Sequence, residues 1–491
     1  MSKRTRRQFI EDSMFASAAV AAAAWQASSA NQVFAQGADT PKGANEKLSV
    51  CCIGVGGRGG AHVDAYVKRD DCEITWIVDI DSKIGNKTAE EIGKKQGRTP
   101  KVVADMREAF DDKSLDLVSI ATPNHWHALS AIWAMQAGKD VYVEKPVSHN
   151  VSEGRRIVEV ARKYNKICQT GTQSRSHSAM RDGMKFIHEG GIGKVTQARG
   201  LCYKNRPSIG PKGTYEVPKE VNYDLWLGPA PLAPLTRPKF HYDWHWQWPY
   251  GNGDLGNQGI HQMDLSRWGL NVDQLPQNVW SFGGRIGYED AGETANTQLC
   301  FFDYGDKSLV FEVRGLPTKT YRDAKVGIIV YGDEGSAVVT NYAHMSFFDN
   351  NGKELPTRFK GGGDAFGNFI DAVRSRNYGD LNADILEGHL SSALCHLGNI
   401  SYRHSTEDVS AADLSKLTEK APAAAFTHNV IERIQEHVTG NELDPAATKF
   451  HVGPMLAFDP AKEKFMNSPS ADAMLTREYR APFVVPTKDK I

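Results

Sequence analysis

The first patterned stretch of hydrophobic residues is LSVCCI, residues 48–53, which runs without polar alternation beyond Ser49 and ends in glycines. A short continuous apolar run is what a strand covered on both faces of a parallel sheet requires. Similar runs recur at 73–78, 102–103, 115–121, 140–143 and 167–171, and segments of helical character separate them at 82–95, 128–138 and 150–164. Asn150 and Glu153 have the spacing of an N-cap and its N3 partner. Strand and helix in alternation predict a doubly wound parallel sheet over residues 47–171. From residue 172 the pattern changes. Short runs at 195–203, 297–304, 308–313, 326–331 and 337–340 predict a large open, mainly antiparallel sheet over residues 172–404. A helix starts near residue 260. Another, over 384–400, carries apolar residues at 386, 390, 393, 394, 397 and 400 in one buried stripe, so its His389 and His396 read as packed or capping residues.

The glycines after the first strand are Gly54, Gly56 and Gly59, a G-x-G-x-x-G at a strand-to-helix junction. In that context Gly54 allows the tight turn, Gly56 lets the backbone approach a pyrophosphate, and Gly59 lets the helix pack close to its strand. A helix starting near Arg58, with Gly57 before it, aims free N–H groups at phosphates. The second strand ends at Asp79, placed to accept from the ribose hydroxyls of NAD. The next basic residue is Lys83, so a 2′-phosphate has no evident partner and NAD is expected over NADP. The fold expected is α/β: an N-terminal Rossmann dinucleotide-binding domain followed by an α+β domain.

Composition narrows the partners. Lys plus Arg number 58 against 59 for Asp plus Glu, which leaves no basic surface for nucleic acid. Seven cysteines form no C-x-x-C, so neither a disulfide framework nor a structural zinc site is expected. Residues 1–35 read as a cleaved twin-arginine signal: Arg6 and Arg7, an Ala-rich stretch over 14–24 that is short for a membrane span, and a small-residue site ending at Ala35. That predicts an exported, periplasmic protein with no membrane attachment after cleavage.

Thr122-Pro123-Asn124 with His127, after the third long strand, and Glu144-Lys145-Pro146, after the fourth, complete a set that resembles the Gfo/Idh/MocA oxidoreductases, and more narrowly their secreted twin-arginine members, over residues 47–400. The resemblance implies that Glu144 binds the nicotinamide ribose and that Lys145, often followed there by a cis proline, serves as proton shuttle or hydrogen-bond donor. Thr122, Pro123, Asn124, His127, Gly57 and Arg58 join the cofactor set. A partly desolvated Lys beside the nicotinamide has a lowered pKa suited to this task.

In the family an Asp lies four residues before a His that faces the nicotinamide. His261 matches that His, but Asn257 stands at the Asp position. His261 is the candidate base. An Asn cannot stabilise an imidazolium as a carboxylate does, which leaves Lys145, Asp254 or Asp264 to take up the load. Trp244, Trp246, Trp248 and Tyr250, interleaved with His241, Asp243 and His245, read either as a sugar-stacking platform or as packed aromatics. Tyr203 and Arg175 complete the substrate candidates, with an ion pair as the alternative for Arg175. No metal is expected. The predicted activity is NAD-dependent hydride transfer to or from a hydroxyl carbon of a sugar or polyol. Its alternatives are a glycosidase that keeps NAD bound, like the α-N-acetylgalactosaminidases of this superfamily, and a non-catalytic sensor, against which Lys145 and His261 argue. The open sheet predicts a homodimer or homotetramer, and the polar residues 405–491 an extension reaching a partner subunit.

Overall fold

The computed structural model describes residues 46–491. The twin-arginine pattern lies outside the described residues. Six parallel strands form the first sheet: β1 Leu48–Ile53, β2 Cys72–Val78, β3 Lys101–Val103, β4 Leu117–Ile120, β5 Asp140–Val143 and β6 Cys168–Thr170. Their spatial order is β3, β2, β1, β4, β5, β6, so the winding reverses between β1 and β4 and opens a crevice at the strands' carboxyl ends. Every residue of β1, β4 and β5 is buried, as their apolar runs demand. The helix Asn124–Gln136 begins at Asn124, so residues 124–127, expected as loop, form its first turn after Pro123. Asn150 Oδ1 accepts from the Glu153 amide at 2.9 Å, and Glu153 Oε2 accepts from the His149 amide at 2.7 Å, which caps the helix Val151–Lys163 reciprocally.

The second sheet is mixed and has eleven strands. Its strands are β7 Val195–Tyr203, β8 Asn278–Gly284, β9 Thr297–Asp303, β10 Ser308–Arg314, β11 Val326–Gly332, β12 Gly335–Val339, β13 Met345–Asp349, β14 Glu407–Ser410, β15 Lys449–Val452, β16 Leu456–Asp459 and β17 Lys464–Phe465. The main path runs β13, β12, β11, β7, β10, β9, β8, β15, β14, and only β7 with β10 is parallel on it. One face packs on the helices Gly259–Leu270 and Ile385–Arg403 through Cys300, Phe302, Leu309 and Phe311. The second of these helices also packs on Val151–Lys163, which joins the two halves. All seven cysteines are buried, and burial pushes the thiols of Cys51, Cys52, Cys72, Cys168, Cys202, Cys300 and Cys395 up.

The opposite face is not left open over β8, β9 and β10. Trp280, Phe282, Leu299 and Phe301 project there and are covered by Ala411, Leu414, Val430 and Ile434 of the same chain. Residues 405–491 therefore complete their own subunit: β14 and β15 extend the sheet, and Phe483 and Val485 enter the core of the first domain. Under the cover lies the carboxylate of Glu312, which accepts from Arg199 at 2.5 Å, Arg433 at 2.6 Å, Arg314 at 2.9 Å and the Tyr203 hydroxyl at 2.5 Å. Burial pushes the Glu312 carboxyl up, but Arg433, Arg199 and Arg314 overcome this and hold it below the usual range. Tyr203, expected at the substrate, is thus a structural residue. Its side chain projects from the covered face and is spent on this cluster. Replacing Glu312 by Gln leaves three guanidinium groups facing one another without a counter-charge. We expect a loss of about 3–5 kcal/mol in chemical denaturation.

Candidate active site

The crevice between the two halves holds a cavity of about 890 Å³. Its floor is the glycine turn after β1. Gly54 has φ 73°, and a Cβ there would lie 2.9 Å from Ala121 O; a Cβ on Gly59 would sit 1.8 Å from Gly54 O. Neither position admits another residue, which is why the helix Arg58–Val67 can start this close to its strand. Gly56, Gly57 and Arg58 line the cavity, whereas Gly59 lies beneath it as a packing residue. Asp79, at the end of β2, accepts from the Val55 amide through Oδ2 and from the Asp81 amide through Oδ1, both at 2.9 Å. Burial pushes its carboxyl up. Each oxygen retains a lone pair for a ligand hydroxyl.

Along the strand ends the lining continues through Thr122, Pro123, Asn124 and His127 to Glu144 and Lys145. His127 ties two of these loops together, with Nδ1 2.6 Å from Pro146 O and Nε2 2.8 Å from Thr122 O. Asn124 donates to Asn252 Oδ1 at 3.1 Å, across to the second domain. From β2 to β5 is three strand spacings, about 14 Å, so Asp79 and Lys145 stand at separate ends of the groove.

Glu144 is buried and carries the densest set of contacts. Its Oε1 accepts from Arg58 Nε at 2.8 Å, Gln173 Nε2 at 3.1 Å and His62 Nε2 at 3.2 Å, and its Oε2 accepts from the Lys145 amide at 3.2 Å. Burial pushes this carboxyl up, but His62, Arg58 and Lys145 hold it well below the usual range. The Lys145–Pro146 peptide bond is cis. Lys145 Nζ donates to Asn257 O at 2.8 Å, and burial, outweighing the attraction of Glu144, pushes its pKa down.

From the second domain, Asn257, His261, Trp244, His245 and Tyr342 close the cavity around Lys145. Asn257 Nδ2 and Thr122 Oγ1 are buried in this lining without a protein partner, as donors waiting on a ligand are. His261 stands edge-on to the Tyr342 ring at 5.4 Å, and burial, followed by the charge of Lys145, pushes its imidazole down to about 3. Trp244 stacks on His245 with centroids 3.6 Å apart.

The remaining candidates lie elsewhere. Trp246 is buried under Arg206, which sits 5.3 Å from its ring. Tyr250 packs on Trp226 at 4.6 Å, and Arg403 covers Trp248 at 4.7 Å. Arg175 is buried too: its Nε donates to both oxygens of Asp264, at 3.0 and 2.8 Å, and its guanidinium pairs with Glu387 at 2.9 Å. It clamps two helices and does not line the cavity. Neither acidic substitute for the missing Asp is free, because Asp264 is taken by Arg175 and Asp254 by Arg206, at 2.8 Å. Sequence reasoning missed His62, Gln173, Trp226 and Tyr342. Only His62 had a signal, lying one helical turn beyond Arg58 on the same face. Among the described residues no group of three or more His, Cys, Asp or Glu side chains could hold a metal ion.

Residues 48–172 match the model of the oxidoreductase family's NAD-binding Rossmann fold, and residues 194–435 match that of its C-terminal alpha/beta domain. The chain belongs to the Gfo/Idh/MocA oxidoreductase family. Its curated relatives include an α-N-acetylgalactosaminidase of Shewanella oneidensis, 33% identical over 25% of this chain and 28% of the relative. A levoglucosan dehydrogenase of Pseudarthrobacter phenanthrenivorans is 26% identical over 45% of this chain and 51% of the relative. The chain thus matches between about a quarter and a half of these relatives' lengths. Among solved structures, the WlbA dehydrogenase of Bordetella pertussis, in complex with NADH and UDP-GlcNAcA, shares the fold with a TM-score of 0.55 at 19% identity, over 73% of this chain and 97% of that one. This Gfo/Idh/MocA oxidoreductase binds NAD(P) in its first domain, and the glycine turn, Asp79 and the unpartnered donors fit that group.

A depressed imidazole pKa keeps His261 neutral in the fold, whereas the unfolded chain protonates it below about 6.5. It therefore withdraws stability as the pH falls through 6.5. The proton NMR signal that disappears in His261→Gln should not titrate between pH 8 and pH 5.

Proposed function

We propose that the protein transfers a hydride between nicotinamide C4 and a hydroxyl-bearing carbon of a sugar or polyol, with NAD preferred over NADP. The observation that carries this reading is Lys145, partly desolvated, beside an ionised Glu144 and bonded to the carbonyl of Asn257. Bound NAD(P) supplies the hydride acceptor or donor. With one N–H given to Asn257, the Lys145 amine has its remaining valences for the reacting hydroxyl, and a pKa lowered by burial makes it a readier partner for that proton than an exposed lysine. His261, held neutral, positions the same hydroxyl by hydrogen bonding. The stacked Trp244 and His245 offer a flat surface to the C–H side of a sugar ring.

Support for NAD comes from the adenosine end of the groove, where burial first and then the nearby Asp81 carboxylate push the Asp79 carboxyl up, so a 2′-phosphate meets like charge. NAD should bind at least about tenfold more tightly than NADP, roughly 1.4 kcal/mol, by calorimetry. Export through the twin-arginine route and homo-oligomer formation belong to the same proposal and rest on the sequence alone. The match to an α-N-acetylgalactosaminidase supports a second reading, in which the cofactor is oxidised and reduced within one cycle of glycoside cleavage.

The deciding experiment denatures the purified protein, quantifies released NAD(H), and repeats this after incubation with monosaccharides and aryl glycosides. Persistent NADH with a free sugar identifies a dehydrogenase. Aryl glycoside cleavage with NAD still oxidised identifies the redox glycosidase. Absence of any bound or bindable nicotinamide cofactor sinks both. Lys145→Ala should lower kcat by about 10²–10⁴-fold while the protein still binds one equivalent of cofactor.

A further inference from the structure

Both family models end by residue 435, yet a segment well beyond them reaches back to the loop that roofs the cavity. The cavity's roof is a long loop from the second domain that includes the short helix Tyr223–Leu227 and contributes Leu225, Trp226, His241, Trp244 and His245 to the lining. This loop leaves its own domain and leans on the first. The amide of Asn222 donates to Ile80 O at 2.8 Å, and Asp81 pairs with Val221 in an isolated bridge. The helix 223–227 therefore starts beside the end of β2, where Asp79 would hold the adenosine ribose. A five-residue helix has no stability of its own, so its place is fixed from outside.

The C-terminal segment supplies that fixation. Arg480 Nε donates to Gly228 O at 3.0 Å, and its two terminal nitrogens donate to Asp224 Oδ1 at 2.6 Å and Asp224 O at 2.7 Å, so one guanidinium holds the last turn of the helix. The guanidinium carbon also lies 4.9 Å from the centre of the Phe483 ring. Phe483 is buried edge-on against Trp126 at 5.4 Å, and Trp126 Nε1 in turn donates to Leu225 O at 2.9 Å. Three residues earlier, Arg477 donates to Pro249 O at 2.9 Å, and His149 Nε2 lies 2.8 Å from Trp248 O. Tyr479 donates to Glu153 at 3.1 Å, which fastens the segment between these two points. Both ends of the roof loop are thus tied to the first domain by residues 477–483.

We propose that residues 477–483 are a strap that sets the roof over the adenosine half of the dinucleotide, with Arg480 as the positioning residue for cofactor capture. The inference rests on the reading of the cavity as an NAD(P) site. Within the strap, Arg480 touches the roof at the adenosine end and not at Lys145, so its loss weakens one half of the dinucleotide selectively. A merely structural role would not distinguish the two halves.

The test is calorimetric titration of the full-length protein with NAD, ADP and nicotinamide mononucleotide, on the wild type, Arg480→Ala, Arg480→Lys and Glu478→Ala, with thermal melting of each. Glu478 is exposed on the same segment and serves as control. Arg480→Ala is expected to raise the Kd for NAD and ADP about fivefold to tenfold, leave that for nicotinamide mononucleotide unchanged, and melt within a few degrees of the wild type. Arg480→Lys keeps the charge and the stem against Phe483, and is expected to fold and show the same selective loss to a smaller degree, which covers the case in which the alanine variant does not fold. Unchanged NAD and ADP binding in both Arg480 variants overturns the strap, and so does an equal loss for all three ligands. A wild type that binds none of the three overturns the cofactor reading itself.

Discussion

A buried carboxylate must be paired, and at Glu144 the pairing organises the site. Its partners come from different parts of the chain: Arg58 and His62 from the helix after the glycine turn, Gln173 from the turn after β6, and the amide of Lys145 beside it. No space remains for a side chain opposite it, since a Cβ on Gly171 would lie 2.8 Å from the carboxylate. Removing one partner from such a set leaves charge uncompensated at low dielectric, which costs far more than a surface ion pair. The negative charge is therefore fixed. Beside it Lys145 can have a pKa lowered by burial without losing its place, because its Nζ is anchored to a neutral carbonyl rather than to an acid.

The first domain was legible because its information is local. Strands buried on both faces read as unbroken apolar runs, and the glycine turn, Asp79 and Glu144-Lys145-Pro146 all fall at strand ends that those runs locate. In the second domain partners are distant. Tyr203 looked like a substrate residue because it ends a strand, but the glutamate that claims it is on β10 and the arginine that completes the cluster is on the helix Val430–Gly440. Arg175 looked ambiguous until Asp264 and Glu387 met it from two other helices. Of the aromatics near residue 246, Trp244 reaches the cavity and Trp246 does not, a difference decided by a 3-10 turn over Asp243–Trp246 that period-two reasoning cannot register. Tyr342 carries no signal at all: it lies in the connection between β12 and β13 and comes to His261 only through the sheet.

The same locality explains the strands left unread. β8 and β13 to β17 have no counterpart among the runs read from the sequence, and of these β14 and β15 are short strands that complete the sheet from far along the chain and need little hydrophobicity of their own. β15 presents only Phe450 and Val452 to the interior. Their contribution is to cover Trp280, Phe282 and Phe301, which would otherwise face water. The face expected to serve association is thus partly consumed within the subunit, and any contact between subunits has a smaller, more selective area on which to form.

The burial of every cysteine has a consequence for how the protein ages. Attack on an oxidant or an alkylating reagent requires a thiolate at the surface, and here burial both hides the sulfur and disfavours its ionisation. The native molecule is chemically silent toward such reagents, while the unfolded chain offers seven reactive thiols at once. Covalent modification then counts openings of the fold one molecule at a time, and the rate at which the thiols are lost is the clock of the protein's own unfolding.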